Sequence, residues 1–277
     1  MANAAGCYGF RVDGVADARH LLVETPPDWP RLELRLVRPT TGAAPESDVV
    51  GPETAALPLH RGGWTTIERQ GRRVTFHLAA DTEHQELVHP YLAPAAAVLA
   101  RWAGRESFHA GAVVGDGGAW AVLGDRESGK SSTLGWLALN GHRVLVDDLL
   151  VLDGEAAFAG PRCVDLRPDA AARLGAGEPL GVVGSRERWR LPLDAVPARV
   201  PLRGWIVLSW GEATALEPLR GPERLLALMP HRSVRLEPPA PGALVRLASL
   251  PVLVLRRPRR WDSLPDAAAR LVAAIGG

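Results

Sequence analysis

Two rhythms of hydrophobic and polar positions divide the chain. In Arg31-Leu-Glu-Leu-Arg-Leu-Val-Arg38, apolar and charged residues alternate with period two, as in a strand buried on one face. Val74-Thr-Phe-His-Leu78 is a second such segment. Between them, Pro39 to Pro58 collects Pro, Gly, Thr, Ser and Asp, which predicts a long loop. The pattern changes at Pro94–Trp102, whose Ala-, Val- and Leu-rich run predicts a helix with Gly104 at its C-terminal stop.

From Phe108 onward the grammar is mixed. Gly111–Val114 and Ala119–Leu123 predict strands around the turn Asp116-Gly117-Gly118. Ser131–Leu139 predicts a helix halted by Asn140-Gly141, and Val144–Val146 a short buried strand that ends in Asp147-Asp148. Trp205–Ser209 and Val252–Leu255 predict further strands, and Glu223–Met229, Gly242–Leu250 and Pro265–Ile275 predict helices. Alternating strands and helices with one early hairpin predict an α/β domain built on a mixed sheet. The expected organisation is a smaller β-rich (α+β) N-terminal domain over residues 1–92, serving substrate or partner binding. A linking helix follows over 93–107, and the chemistry-bearing domain spans 108–277.

Composition narrows the classes. Hydrophobic residues at 47% and charged residues at 23% exclude wholesale disorder. A net charge of +1 argues against a nucleic-acid-binding module, which carries a basic excess. The opening residues lack a cationic stretch followed by an apolar core, and the apolar run around Leu250–Leu255 falls far short of the ~18 residues of a membrane helix. Cys7 and Cys163 cannot make a disulfide framework. A cytoplasmic protein with no nucleic-acid or membrane partner is therefore expected, its oligomeric state left open.

One detail of the charge count matters more. Of 32 basic side chains, only Lys130 is lysine, and the chain has just two asparagines, Asn3 and Asn140. Such usage suggests drift toward GC-rich codons, which turns Lys into Arg wherever any positive charge suffices. Lys130 survives inside Gly124-Asp125-Arg126-Glu127-Ser128-Gly129-Lys130-Ser131, a match to G-x-x-x-x-G-K-[ST]. The chain's own residue frequencies give this pattern about one chance in a thousand of arising at random. Glycines let successive amides curl round phosphate oxygens, the following helix adds its positive end, a compact ammonium reaches the β and γ phosphates, and the hydroxyl ligates Mg²⁺. Gly124 through Ser132 is thus the expected nucleotide-binding segment.

Asp147 and Asp148 stand at the end of the next strand. One carboxylate there can hold Mg²⁺ opposite Ser131 while the other acts as a base on a hydroxyl nucleophile. Neighbours on a strand face opposite sides, so both reach the site only if the strand ends at Asp147. With His109 upstream, the run His109-Ala-Gly, Gly124-Asp-Arg-Glu-Ser-Gly-Lys-Ser-Ser132, Asn140-Gly-His-Arg-Val-Leu-Val-Asp-Asp148 resembles the catalytic core of the HPr kinase/phosphorylase family.

That resemblance covers Phe108–Asp148 specifically and the later strand–helix succession loosely. It implies a P-loop domain of the phosphoenolpyruvate-carboxykinase-like type and transfer of the terminal phosphate of ATP to a serine of a protein. By matching positions, Lys130 and the loop amides hold the phosphates, Ser131 and Asp148 bind Mg²⁺, Asp147 is the base, and His109 sits beside Asp147. The family's downstream Glu and Arg-Gly-x-Gly signature has no counterpart: the nearest stretch reads Pro161-Arg-Cys-Val-Asp-Leu-Arg-Pro168. A further Mg²⁺ carboxylate and the reverse phosphorylase activity are therefore not implied. Residues 1–92 show no similarity to the bifunctional enzymes. The chain looks more like divergent kinases of peptide natural-product pathways, lasso peptides among them, which phosphorylate a serine of the precursor peptide.

Other clusters read more plainly. Arg186, Arg188 and Arg190 suit a solvated charged loop better than an anion clamp. Arg256, Arg257, Arg259 and Arg260 suit a solvent face, with nucleobase or substrate contact second. His84 and His89 lack a third partner at zinc-ligand spacing, and most of the nine tryptophans are expected in core or interface positions. The expectation is an ATP- and Mg²⁺-dependent kinase acting on a peptide or protein serine. A small-molecule hydroxyl kinase and a non-catalytic nucleotide sensor are the alternatives.

Overall fold

The computed structural model describes residues 4–38, 43–60, 63–234 and 242–276. Its first half forms β1 (Ala5–Cys7), β2 (Phe10–Asp13), β3 (Val23–Glu24), β4 (Arg31–Val37), β5 (Val49–Val50), β6 (Thr54–Pro58), β7 (Trp64–Glu68) and β8 (Arg73–His77). They make one eight-stranded sheet in the order β3-β1-β2-β4-β8-β7-β6-β5. The alternation in β4 turns Leu32 and Leu34 into the core and leaves Glu33 to pair with Arg35 and Arg73 on the other face. The long loop expected over Pro39–Pro58 is corrected: its second part forms β5 and β6, while residues 39–42 lie outside the described residues. β5 is the edge strand and β6 its neighbour, so the Pro and Gly around them lie near the end of the sheet, where little of the ladder depends on them.

After α1 (His84–Glu86) comes α2 (Leu92–Trp102). Ala95, Ala96, Ala97, Val98, Leu99 and Ala100 are all buried, and within α2 only Pro94 is exposed, as a largely apolar helix requires. Gly104 follows its last turn at φ +76°, as the sequence predicts.

The second half supplies β9 (Glu106–Phe108), β10 (Ala110–Gly115), β11 (Gly118–Leu123), β12 (Val144–Val146), β13 (Leu150–Asp153) and β14 (Ala156–Phe158). It continues with β15 (Cys163–Leu166), β16 (Glu178–Val183), β17 (Arg186–Pro192), β18 (Arg199–Trp210), β19 (Ala215–Pro218) and β20 (Val252–Arg257). Its helices are α3 (Lys130–Leu139), α4 (Pro168–Leu174), α5 (Pro222–Leu228), α6 (Ala243–Ser249) and α7 (Leu264–Ile275). The main sheet runs β12-β10-β11-β18-β14-β13-β9, with β20 also on β18 and β19 on β20. Strands β11, β18 and β20 are parallel and the other pairs antiparallel, so the chain is a mixed α/β protein. One hydrophobic cluster runs through both halves, from Phe10 and Phe76 through α2 to Phe108 and Trp205. Among the described residues no helix is long and apolar enough to cross a membrane.

A three-stranded sheet, β15-β17-β16, stands apart and corrects the reading of Arg186–Arg190 as a solvated loop. Arg190 is buried and grips buried Asp165 through two hydrogen bonds of 2.8 and 3.0 Å, while also donating to the His89 carbonyl at 2.7 Å. His89 comes from the first half of the chain and sits 3.6 Å from Asp165. Cys163 joins this cluster with its thiol pushed up by burial, and Arg190 on Asp165 makes the group a joint between the two halves of the chain.

Removing one partner of a buried ion pair leaves the other charge stranded, at a cost of about 3–5 kcal/mol. Asp165→Ala is therefore expected to lower unfolding stability by about that amount in urea titration. An exposed pair such as Arg270–Asp266 should give at most ~0.5 kcal/mol when broken.

Candidate active site

β11 leaves the sheet beside its parallel neighbour β18, and Gly124–Gly129 turns the chain into α3. The turn is tight. A Cβ on Gly124 would lie 2.3 Å from Ser128 Oγ, and Gly129 takes φ +86° with room for a Cβ blocked by Arg257 at 2.7 Å. Both glycines of the motif are thus demanded by the backbone. Glu127 has φ +70°, and its side chain turns out to Arg167 at 3.1 Å and Arg259 at 3.5 Å.

The α3 amides of Lys130, Ser131 and Ser132 have no intrahelical acceptor, whereas the Thr133 amide already bonds the Gly129 carbonyl at 2.8 Å. They form the positive end of the helix dipole. Ser128 Oγ is buried with no hydrogen-bond partner among the described residues. A cradle of glycines, free amides and an orphaned hydroxyl fits a bound phosphate. Side chains of Asp125 and Arg126 are exposed, so the loop would hold an anion chiefly through its backbone.

Lys130 is only 8% exposed. Its Nζ reaches the His109 carbonyl at 3.5 Å, a marginal contact, and among the described residues no carboxylate lies within ion-pair distance of it. Burial pulls its pKa down, with Asp147 and Asp148 acting against that from further away.

Strand β12 ends at Val146, and Asp148 adopts φ +76°. This left-handed residue breaks the alternation of the strand and brings both carboxylates into the site, a conformation Asp tolerates better than most residues. Their surroundings differ sharply. Asp147 is 4% exposed and accepts a 3.1 Å hydrogen bond from the Ser131 hydroxyl. Burial raises its pKa, and the neighbouring Asp148 charge adds to the rise. Asp148 has a side chain 40% exposed and lies 3.2 Å from Nδ1 of His109, itself 52% exposed. Burial opposes its ionisation, yet the hydrogen bond and charge of His109 outweigh that and hold the carboxyl well below the usual range.

The sequence pairing is thereby corrected. His109, expected beside Asp147, lies on Asp148, and Ser131, expected with Asp148, lies on Asp147. The physical reason is the turn at Asp148, which drops the first carboxylate under α3 and lifts the second to the surface. The Ser131 hydroxyl and Asp147 carboxylate offer adjacent hard oxygens of the kind Mg²⁺ prefers, so the residues present fit that ion.

Sequence reading missed His231. Its carbonyl accepts the His109 amide at 2.7 Å, and its ring is half-buried within electrostatic reach of Asp125, Lys130 and His109. The segment is pinned by a bridge between Arg232 and Phe108 and by Arg232 on Glu106 at 3.1 Å, with Arg101 of α2 on the other Glu106 oxygen at 2.8 Å. Nothing in Met229-Pro-His-Arg232 marks these partners, which are over a hundred residues away in sequence. Arg257, expected on a solvent face, is buried instead: its guanidinium lies 4.5 Å from the Trp210 ring and donates to Ser263 Oγ at 3.3 Å. Arg256, Arg259 and Arg260 are exposed or partly exposed and paired with Glu217, Glu127 and Asp262.

No family model and no curated protein matches this chain. Among solved structures it is similar to the Hpr(Ser) kinase/phosphatase from Coxiella burnetii, at 16% identity and a TM-score of 0.33, over 61% of this chain and 89% of that one. A superposition at this level leaves the function to be decided by the residues themselves.

A raised carboxyl pKa in the folded state stabilises the protein below the unfolded value, near 3.8, and that contribution is lost as pH rises through the folded value. The ionised form of Asp147 is therefore a cost when no cation is bound. Asp147→Asn is expected to unfold at the same or a higher temperature than wild type without ligand. In the same thermal-shift assay its Mg²⁺ affinity should fall at least ~10-fold.

Proposed function

We propose that the chain is an ATP- and Mg²⁺-dependent kinase of HPr kinase-like design that transfers the γ-phosphate to a serine hydroxyl of a peptide or protein. The observation that carries this reading is the buried ammonium of Lys130, without a carboxylate in contact, at the head of α3 behind a glycine loop. A buried cation with no counter-ion in contact among the described residues is costly, and an anion seated in the loop relieves it.

The loop amides and Lys130 bind the β and γ phosphates, and Ser131 with Asp147 holds the metal. Mg²⁺ bound there supplies charge neutralisation across the phosphates. Asp148 faces the open side of the site in its ionised form and accepts the proton of the acceptor hydroxyl, whose oxygen bonds to the γ phosphorus as the bond to the bridging oxygen breaks and ADP leaves. His109 orients Asp148 and keeps it ionised. A nucleotide sensor needs only the metal carboxylate, so a second, accessible carboxylate with its own histidine favours transfer chemistry over sensing. The chain's likeness in composition to precursor-peptide kinases makes peptides encoded beside its gene the first substrates to try. Incubation with labelled ATP and those peptides, followed by mass spectrometry, should reveal a mass gain of one phosphate.

Two substitutions test the roles. Lys130→Arg keeps the charge but not its shape, and is expected to lower kcat/KM at least ~100-fold in a steady-state assay. Asp148→Asn should abolish transfer by a similar factor while ATP still raises the unfolding temperature. Wild-type turnover in either variant would remove the role assigned.

A further inference from the structure

Beside the His109–Asp148 pair opens a cleft of about 620 Å³, within the range of ligand sites. Its walls are largely apolar, with Val50, Leu57, Ala97, Val98, Leu149 and Val234, and Asp48 and Ser233 also line it. Three elements of the first half contribute: the edge strand β5, its neighbour β6 and α2. The catalytic pair therefore lies at the polar end of an apolar groove whose other side belongs to the part of the chain with no role in phosphate binding.

The rim has a second property. Among the described residues β5 pairs with β6 alone and ends the sheet, so its outer edge carries unpaired backbone groups. This edge is held in place. The Trp102 indole N–H donates to the Gly51 carbonyl at 3.1 Å, and Arg69 donates to the Pro52 carbonyl at 3.0 Å. Alternation along β5 points Val50 into the cleft and leaves Val49, at 58% exposure, on the opposite face.

Resting on the kinase reading above, we propose that this groove selects the acceptor: it takes an extended peptide segment with an apolar side chain within two residues of the serine. The apolar walls accept that side chain while the serine hydroxyl reaches Asp148, and the free edge of β5 pairs with the peptide backbone. An edge of backbone donors and acceptors has no complement in a small apolar alcohol, which favours a peptide as occupant. The largely apolar walls offer few partners to a sugar or another polyol, most of whose hydroxyls would lose their hydrogen bonds to water.

The test uses the full chain, Mg²⁺ and γ-labelled ATP with serine-centred peptide pools, one flanking position fixed in each. Pools with Leu, Ile, Val or Phe fixed within two residues of the serine should take up label at least ~5-fold faster than pools with Asp, Lys or Gly. Val50→Glu should remove that selection with the KM for ATP unchanged, and Val49→Glu, on the other face of β5, should keep it. Equal labelling of all pools, or selection that survives Val50→Glu, overturns the groove assignment while leaving the kinase reading intact. Labelling of a medium-chain alcohol but of no peptide overturns the peptide occupant. No labelling of any acceptor, with ATP still raising the unfolding temperature, overturns the kinase reading and the groove with it.

Discussion

A buried positive charge with nothing negative touching it governs the layout of this molecule. Lys130 sits under the mouth of α3, and three unbonded amides and the helix dipole point the same way. Each of these alone would be a modest feature. Together they concentrate positive potential at a place the protein shields from water, and they do so without an internal counter-ion within contact. The two aspartates lie near enough to be felt but not near enough to neutralise. Such an arrangement sacrifices stability in the empty protein and recovers it when an anion fills the loop. It also explains why lysine persists here while arginine fills every other basic position. A flat, delocalised guanidinium does not present the compact point charge that a phosphate cradle takes from an ammonium.

Two consecutive carboxylates acquire different chemistry from one backbone angle. Had β12 continued, Asp147 and Asp148 would face opposite sides of the sheet and only one could serve the site. The left-handed turn at Asp148 places one against Ser131 in the interior and the other against His109 at the surface. Their proton affinities then part: burial and the neighbouring charge raise Asp147, while the hydrogen bond and charge of His109 outweigh burial and lower Asp148. Divergence of this kind is how paired carboxyls come to hold distinct roles.

Much of the fold was legible because it is locally encoded. The alternation of β4, the hairpin of β10 and β11, the glycine loop and the stop at Asn140-Gly141 each depend on residues close in sequence. What escaped depends on residues far apart. Nothing local tells that Arg190 meets Asp165 and a carbonyl at position 89, or that Arg257 lies under Trp210, so both looked like solvated charge. The short strands β5 and β6 are too Pro- and Gly-rich to declare themselves, and exist because β7 offers an edge to pair with. At the candidate site, residue identities were readable from the motif while the pairing of His109 was not, since a φ angle at Asp148 decides it. His231 had no signal at all, because it is brought in by an isolated bridge from Arg232 to Phe108, far away in sequence.

The continuity of the core bears on how the two halves work. If the first half were a separate module, α2 could expose one face, and the wall of the cleft could shift relative to His109. Instead α2 is buried apart from Pro94 and part of Trp102, and Glu106, immediately before the site, is clamped between Arg101 of that helix and Arg232 of the segment bearing His231. A charged side chain removed from water and held by two partners resists displacement more than an apolar contact does, because any slip strands a charge. The strand that leads into His109 is thus fixed to the helix that lines the cleft. On the kinase reading proposed above, acceptor and base are presented by one frame, as in-line transfer demands when catalysis rests on position and electrostatics.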